Sequence, residues 1–228
     1  MKPLLAVLLL TLPVSAASFV TGGQLLNQPN ANQLATWLGQ GDLNFTNIFS
    51  GAAGISSSAA FHAAVDGVGP TFILVQTDHG LIGGYDPSSW NSSTSYNFTV
   101  ADADRTAFIF NLSTASILRQ LLNGQGNPGS GQYQTFNYSF YGPTFGGGHD
   151  LAVNDSTLSS GYAYPYSYGN AGQTLNLFGS SGQTFFNVTR VEAYTFSAQA
   201  GAATPEPATF LLCGGALALL GVTRRKKR

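Results

Sequence analysis

The sequence is poor in charged and in reactive side chains. Only 8% of the 228 residues are charged, and the chain contains one cysteine and one methionine. The cysteine, Cys213, lies near the C-terminus. An intrachain disulfide is therefore excluded, and so is a thiolate nucleophile or a cysteine metal site in the preceding part of the chain. Without such cross-links, the fold must be stabilised by burial of apolar side chains.

Basic residues are few between residues 18 and 205, where lysine is absent. This part of the chain contains three arginines and nine acidic residues, which gives it a net charge of −6. The acidic residues are Asp42, Asp66, Asp78, Asp86, Asp102, Asp104, Asp150, Asp155 and Glu192. Nucleic-acid binding depends on a basic surface that neutralises phosphates. A nucleic-acid partner is therefore not expected.

Motifs for catalysis or for metal binding are also missing. The chain has no G-x-S-x-G, H-E-x-x-H, calcium-loop or P-loop pattern. Its three histidines, His62, His79 and His149, are far apart and lack metal-ligand spacing. His62 is interpreted as a structural or surface residue, with no titratable partner at a suitable spacing. We expect a protein without catalytic residues, metal or cofactor, and not an enzyme.

The first 17 residues are typical of a secretory signal peptide. Lys2 precedes an apolar run over residues 4–12, and the small residues Ala16 and Ala17 follow. A short apolar segment that ends at such a cleavage-like site favours a removable signal over a buried helix. We therefore expect an exported protein.

The last 24 residues combine Pro205, Glu206 and Pro207 with an apolar run over 208–222 and a basic end that includes Arg224 and Arg225. A helix over 208–222 reaches about 22 Å, less than the ~30 Å of a bilayer core. It is a marginal transmembrane-type helix whose basic end stays cytoplasmic. The pattern resembles the PEP-CTERM sorting signal of Gram-negative bacteria, which implies processing by an exosortase-type enzyme; an ordinary tail anchor is the alternative.

Between the two ends, periodicity predicts short helices and many strands. Residues 18–42 are predicted to form a helical lead-in, with a helix over 31–38 that is capped by Asn30 and ended by Gly39. A second helix is predicted from Ser57 or Ser58 to about residue 65, and a third around 117–122. Strands are predicted over 71–76, 81–85, 96–100, 106–112, 136–140, 184–188 and 190–197. Gly83 and Gly84 indicate close packing by a large neighbour, with Trp90 as the candidate.

Four tyrosines alternate in the segment YAYPYSY. Tyr162, Tyr164, Tyr166 and Tyr168 would share one face of an extended strand, and Pro165 would confine that strand to a sheet edge. Such a row either packs in a core or forms an exposed strip that stacks on sugar rings.

The stretch YGPTFGGGHDLAV, over residues 141–153, is the strongest fold marker. Three consecutive glycines, Gly146, Gly147 and Gly148, are tolerated where the backbone needs positive φ or where another group must approach closely. His149 and Asp150 follow, directly before an apolar strand. Adjacent strand residues point to opposite faces, so these two are not expected to form a catalytic dyad.

This stretch resembles the signature of TLDc domains. Other segments resemble that family in the same order: Phe61-His62 with the run FILVQ, Gly83-Gly84-Tyr85 before Ser89-Trp90, AFIFNL, and Val191-Glu192-Ala193-Tyr194. The resemblance covers residues 43–197, with a linker over 198–204. Glu192 matches the family's glutamate in the last strand and is interpreted as a buried acceptor for loop N–H groups.

The resemblance implies a mostly β, α+β fold in which two antiparallel sheets pack as a sandwich with short flanking helices. It also implies a style of function: eukaryotic TLDc proteins bind and disassemble the V-type ATPase and support oxidative-stress resistance, without accepted catalytic residues. We expect a non-catalytic binding module at the cell surface or in the extracellular matrix, with an exopolysaccharide or another surface protein as its partner. The alternative is a protective factor or a cryptic enzyme that uses the GGGHD loop.

Overall fold

A computed structural model describes residues 17–170 and 175–199, and the segment Ala17–Ala198 forms one compact unit. Residues 1–16 of the predicted signal peptide and the whole predicted sorting signal lie outside the described residues. No helix within the described ranges has the length and apolarity needed to cross a membrane.

The described chain is mostly β, with two α-helices. The helices are α1 (Gln28–Leu38) and α2 (Ser58–Val65). The strands are β1 (Phe19–Thr21), β2 (Leu43–Ala52), β3 (Thr71–Thr77), β4 (Gly80–Asp86), β5 (Ser95–Phe98), β6 (Phe108–Asn111), β7 (Ser116–Gln120), β8 (Tyr133–Asn137), β9 (Thr144–Phe145), β10 (Leu151–Ala152), β11 (Ser160–Ala163), β12 (Tyr168–Gly169) and β13 (Thr184–Ala198).

The 15-residue strand β13 joins two sets of strands. Its C-terminal part pairs with β3 and β2, and Thr184–Asn187 pairs with β11. The first sheet has the order β12-β7-β6-β4-β3-β13-β2-β1, and the second has the order β13-β11-β10-β9-β8-β5. Every pair is antiparallel except β1–β2. The two predicted sheets are present, but they are not separate, because β13 is hydrogen-bonded to strands of both.

An inner core lies between the two sheets. Its members include Ile73, Val75, Ile82, Ile109 and Val191 from the first sheet, and Phe145, Leu151, Ala163 and Phe186 from the second. Because strand side chains alternate, the neighbours of these residues point to the opposite face of the first sheet. There α1 covers an outer core that contains Phe45, Phe72, Leu74, Tyr85, Phe108, Phe110 and Tyr194.

The two helices begin and end at recognisable capping residues. Helix α2 is capped by Ser57, whose hydroxyl accepts the N–H of Ala60 at 3.2 Å, as predicted. Helix α1 ends at Gly39, with φ of 75°, also as predicted. Its start differs: the cap is Asn27 and not Asn30, because the following Pro29 already belongs to the first turn.

The prediction of a helix around 117–122 is wrong, because Ser116–Gln120 forms strand β7. Leu118 faces the inner core and Ile117 packs against the outer core. Both faces of this sheet are covered, so two adjacent apolar residues of one strand can both be buried. The resulting run of apolar residues resembles the sequence pattern of a helix. Phe45 and Phe49 lie on the long strand β2, where Phe45 belongs to the outer core and Phe49 to the inner core.

The prediction that the four tyrosines share one face of a single strand is also wrong. Strand β11 ends at Ala163 and β12 begins at Tyr168, in the other sheet, so the segment around Pro165 crosses between the sheets. Tyr168 is buried and donates a hydrogen bond to the carbonyl of Gln134 at 2.7 Å. Tyr164, in contrast, is exposed.

Gly83 and Gly84 do make room for large neighbours, but Trp90 is not the neighbour. A Cβ atom on Gly83 would overlap the ring of Phe110, and one on Gly84 would lie 2.5 Å from the ring of Phe145. Trp90 packs edge-on against Phe145 at 5.4 Å, one layer further away. Close packing is therefore correct as a prediction, and its partner was misidentified.

Candidate functional site

The GGGHD segment is the loop of a hairpin between β9 and β10. Phe145 pairs with Leu151, and Thr144 pairs with Ala152, so the five residues Gly146–Asp150 close the turn. Gly146 has φ of 83° and His149 has φ of 58°. The N–H of Gly146 donates to the carbonyl of Gln134 at 3.0 Å, which ties the loop to β8.

The Asp150 carboxylate holds this loop against the segment before β12. Although it is almost completely buried, it accepts the N–H groups of Tyr166 at 2.7 Å, Ser167 at 2.8 Å and Tyr168 at 2.9 Å. The Ser167 hydroxyl accepts the N–H of Gly147 at 2.8 Å in return. Burial raises the pKa of Asp150 to about 7, and these N–H groups act in the opposite direction. The carboxylate is a structural anchor.

Each of the three glycines is covered by a side chain of the protein itself. A Cβ atom on Gly146 would overlap the Asp150 carboxylate, and one on Gly147 would lie 2.8 Å from the ring of Tyr133. A Cβ atom on Gly148 would overlap Tyr166. The close approach that a triple glycine permits is therefore used for internal packing.

Comparison with protein families gives one decisive finding. The TLDc domain family model matches residues 19–197, which is most of the chain and includes the helical lead-in. This chain belongs to the TLDc family. No curated protein matches it. The helix α1 and the strand β1 are thus part of the TLDc domain rather than a segment that precedes it.

His149 of the TLDc domain points away from Asp150. Its Nδ1 atom lies 2.7 Å from the hydroxyl of Tyr162, and its ring stacks on Phe136 at 5.4 Å. Burial lowers the pKa of His149, which keeps the imidazole neutral at pH 7. The contacts of His149 in the described chain are therefore a tyrosine hydroxyl and an aromatic ring.

His62 does have a titratable partner, which the sequence interpretation missed. Its Nδ1 atom lies 2.8 Å from Asp66 Oδ1, and its Nε2 atom lies 3.2 Å from the Tyr141 carbonyl oxygen. Asp66 also accepts a hydrogen bond from the Ser92 hydroxyl at 2.7 Å. The i,i+4 spacing of His62 and Asp66 was the available signal. Since both ring nitrogens face oxygen atoms within the fold, this histidine joins α2 to the loop before β9.

Glu192 lies in a separate place, on the α1 side of the first sheet. Its carboxylate accepts the N–H groups of Gln24 at 3.0 Å and Leu25 at 2.9 Å, the Arg190 Nε–H at 2.7 Å and the Tyr194 hydroxyl at 2.5 Å. Burial acts to raise the pKa of Glu192, but these hydrogen bonds hold it below its ordinary value. The structure does not bring Glu192 together with the GGGHD loop.

The described part of the TLDc domain shows no metal-binding cluster. Across residues 17–170 and 175–199, no group of three or more His, Cys, Asp or Glu side chains is arranged to hold a metal ion. The predicted sorting residues Pro205, Glu206, Pro207, Arg224 and Arg225 fall outside these ranges. In the described part, the motif residues hold loops in place through hydrogen bonds.

Proposed function

We propose that this TLDc-domain protein is an exported, non-catalytic binding module at the cell surface or in the extracellular matrix. The observation that carries the proposal is the internal use of the family motif. Asp150 is occupied by three backbone N–H groups, and His149 is bonded to Tyr162. Side chains that already have these partners support a rigid scaffold more readily than a reaction.

The partner in this proposal is an exopolysaccharide or another surface protein. The decisive experiment recovers the mature protein from the outside of intact cells and identifies what co-purifies with it. A polymer or protein that co-purifies through repeated washing in salt supports a binding role. Recovery of the protein alone, and only from the cytosol, would overturn both the location and the role.

Export in this proposal uses the predicted signal peptide, and release from the inner membrane uses an exosortase-type enzyme. A variant with Pro205, Glu206 and Pro207 replaced by alanine should remain in the inner membrane through residues 208–222. A matched variant with Thr195 replaced by alanine, in the folded domain, should be sorted normally. Equal distribution of the two variants between membrane and medium would contradict sorting by this signal.

A second candidate is a protective factor or a cryptic enzyme that uses the GGGHD loop. The observation in its favour is the 2.7 Å contact between His149 and the Tyr162 hydroxyl on a partly exposed surface. Replacement of Asp150 would disturb the anchor of the loop, so His149→Phe is the cleaner test. Unchanged peroxide survival and unchanged activity in a hydrolase screen would dismiss this candidate.

A further inference from the structure

The outer face of the second sheet carries a continuous row of aromatic rings. Neighbouring ring centroids along this row are 4.7 to 6.1 Å apart. We call this row the aromatic face; in order, its rings are Phe98, Tyr96, Phe136, His149, Tyr162 and Phe185. The row crosses strands β5, β8, β11 and β13 and includes the histidine of the GGGHD loop.

Strand register explains why these rings share one side. Tyr96 pairs with Phe136, and Tyr162 pairs with Phe185, so each pair points to the same face of the sheet. The neighbour Phe186 points into the inner core instead. Phe185 and Phe98, at the two ends of the row, are 69% and 54% exposed. Exposed aromatic side chains that belong to a contiguous row, unlike isolated ones, are typical of an interaction surface.

A pocket of about 300 Å³ adjoins the Phe185 end of the row. Polar side chains line it beside the ring, among them Asp78, Asn154, Ser160 and Asn187. The Asp78 carboxylate accepts the backbone N–H of Asn187 at 3.0 Å and its side-chain amide at 2.8 Å. A carboxylate has about four acceptor positions, so acceptor capacity remains for a ligand hydroxyl. The pocket therefore combines a flat apolar ring with hydroxyl-binding groups.

The charge of this surface selects the class of ligand. No ring in the row is ionised at neutral pH, because His149 is held neutral, and the nearest pocket charge is the negative Asp78. Residues 18–205 carry a net charge of −6 and no lysine. A polyanion such as a nucleic acid, an acidic polysaccharide or an anionic lipid surface would be repelled. A neutral polymer rich in hydroxyl groups is complementary to it.

We propose that the aromatic face and the pocket beside Phe185 bind a neutral polysaccharide, whose sugar rings stack on the aromatic side chains while Asp78 and Asn187 hydrogen-bond to hydroxyl groups. This inference rests on the proposed binding role and names its ligand. Aromatic side chains stack on the apolar face of a sugar ring as they stack on other flat groups. A row of aromatic side chains can therefore contact successive sugar units of one polysaccharide. The neutral His149 contributes a stacking surface rather than a base.

Native affinity electrophoresis of the full chain, in a detergent without a sugar headgroup, tests the proposal. The gels contain dextran or hydroxyethylcellulose as neutral probes and alginate as the anionic probe. We expect retardation by at least one neutral probe and none by alginate. The Phe185→Ser variant should lose about tenfold in affinity, the effect of removing one well-placed ring.

The Phe19→Ser variant is the matched control, because Phe19 is 59% exposed and lies on β1 at the edge of the first sheet. It should bind like the unmodified protein, and Phe98→Ser should bind more weakly. Equal binding by Phe185→Ser and Phe19→Ser would overturn the site. Absence of retardation by both neutral probes would overturn the ligand class, and co-purification with a surface protein would then still support the broader binding role.

Discussion

At the scale of single residues, Asp86 is a buried carboxylate in the described chain with one oxygen atom left unpaired. The Asp86 side chain is buried at the end of β4, and its Oδ1 atom accepts hydrogen bonds from Gln134 and from the N–H of Ser88 at 2.9 Å. Its Oδ2 atom has no hydrogen-bond partner within the described residues. Desolvation therefore outweighs the two hydrogen bonds and raises the pKa of Asp86 to about 6.

A raised pKa in the folded state makes stability depend on pH in a defined direction. The folded chain binds a proton at Asp86 more tightly than the unfolded chain, whose aspartate pKa is about 3.9. The free energy of unfolding should therefore fall as the pH rises from about 4 to about 6, by roughly 2–3 kcal/mol from this residue.

Replacement of Asp86 by Asn should remove this part of the pH dependence. We expect the Asp86→Asn variant to gain stability relative to the unmodified protein as the pH rises from about 4.5 to about 7.5. Urea unfolding at both pH values measures the difference. Asp104→Asn, at an exposed position, is the control and should leave the slope unchanged. Identical slopes for the unmodified protein and Asp86→Asn would refute this account.

Gly146 combines a left-handed backbone with a close neighbour, and the two effects can be separated. Gly54 has a similar φ of 72°, but a Cβ atom added there would meet nothing within 4 Å, whereas a Cβ atom on Gly146 would overlap Asp150. We expect Gly54→Ala to cost about 1 kcal/mol and Gly146→Ala about 3 kcal/mol in unfolding free energy. Chemical unfolding measures both, and equal losses would show that packing on Asp150 is unimportant.

At the scale of elements, Glu192 connects the N-terminal segment to the central strand. The segment between β1 and α1 contributes two backbone N–H groups to this one carboxylate, so strand β13 and the start of α1 are linked across the sequence. A charged acceptor with several donors is worth more than a neutral one, and its removal leaves buried donors unpaired.

The Glu192→Gln variant should loosen this N-terminal segment. An amide group replaces one carboxylate oxygen and brings N–H donors towards Arg190 and Tyr194, which are themselves donors here. We expect a loss of about 2–3 kcal/mol in unfolding free energy and faster hydrogen exchange across residues 24–38. Exchange in α2, far along the chain, is the internal control. Uniform acceleration in both regions would argue against a local link.

At the scale of the whole molecule, strand β13 belongs to both sheets. The same strand contributes Val191 to the inner core and Tyr194 to the outer core, and it pairs with β2, β3 and β11. Loss of either core would remove the partner of the other. We therefore expect Ala17–Ala198 to unfold in one transition.

The two tryptophans test this directly, because Trp90 lies in the inner core and Trp37 packs against the outer core. In Trp37→Phe the fluorescence reports on Trp90, and in Trp90→Phe it reports on Trp37. Within each variant, the urea midpoint from fluorescence should equal the midpoint from far-UV circular dichroism. A fluorescence midpoint that precedes the dichroism midpoint in one variant would show that its core unfolds separately.

Local sequence was informative wherever short-range chemistry decides the structure. The cap at Ser57, the stop at Gly39 and the neighbouring strands β3 and β4 all depend on residues within a few positions of one another. The Asp150 anchor was only partly foreseeable. A loop before a buried strand was predicted, but the three N–H groups that it binds come from residues 16 to 18 positions later.

The sequence by itself determined the TLDc family, the β-rich class and the need for close packing at the triple glycine. Only the tertiary structure decided that residues 116–120 form a strand, that the tyrosines of 162–168 separate between two sheets, and that rings from four strands meet on one surface. The physical reason is that burial of a strand face depends on which strands lie beside and above it. That arrangement follows from long-range pairing, which local periodicity does not record.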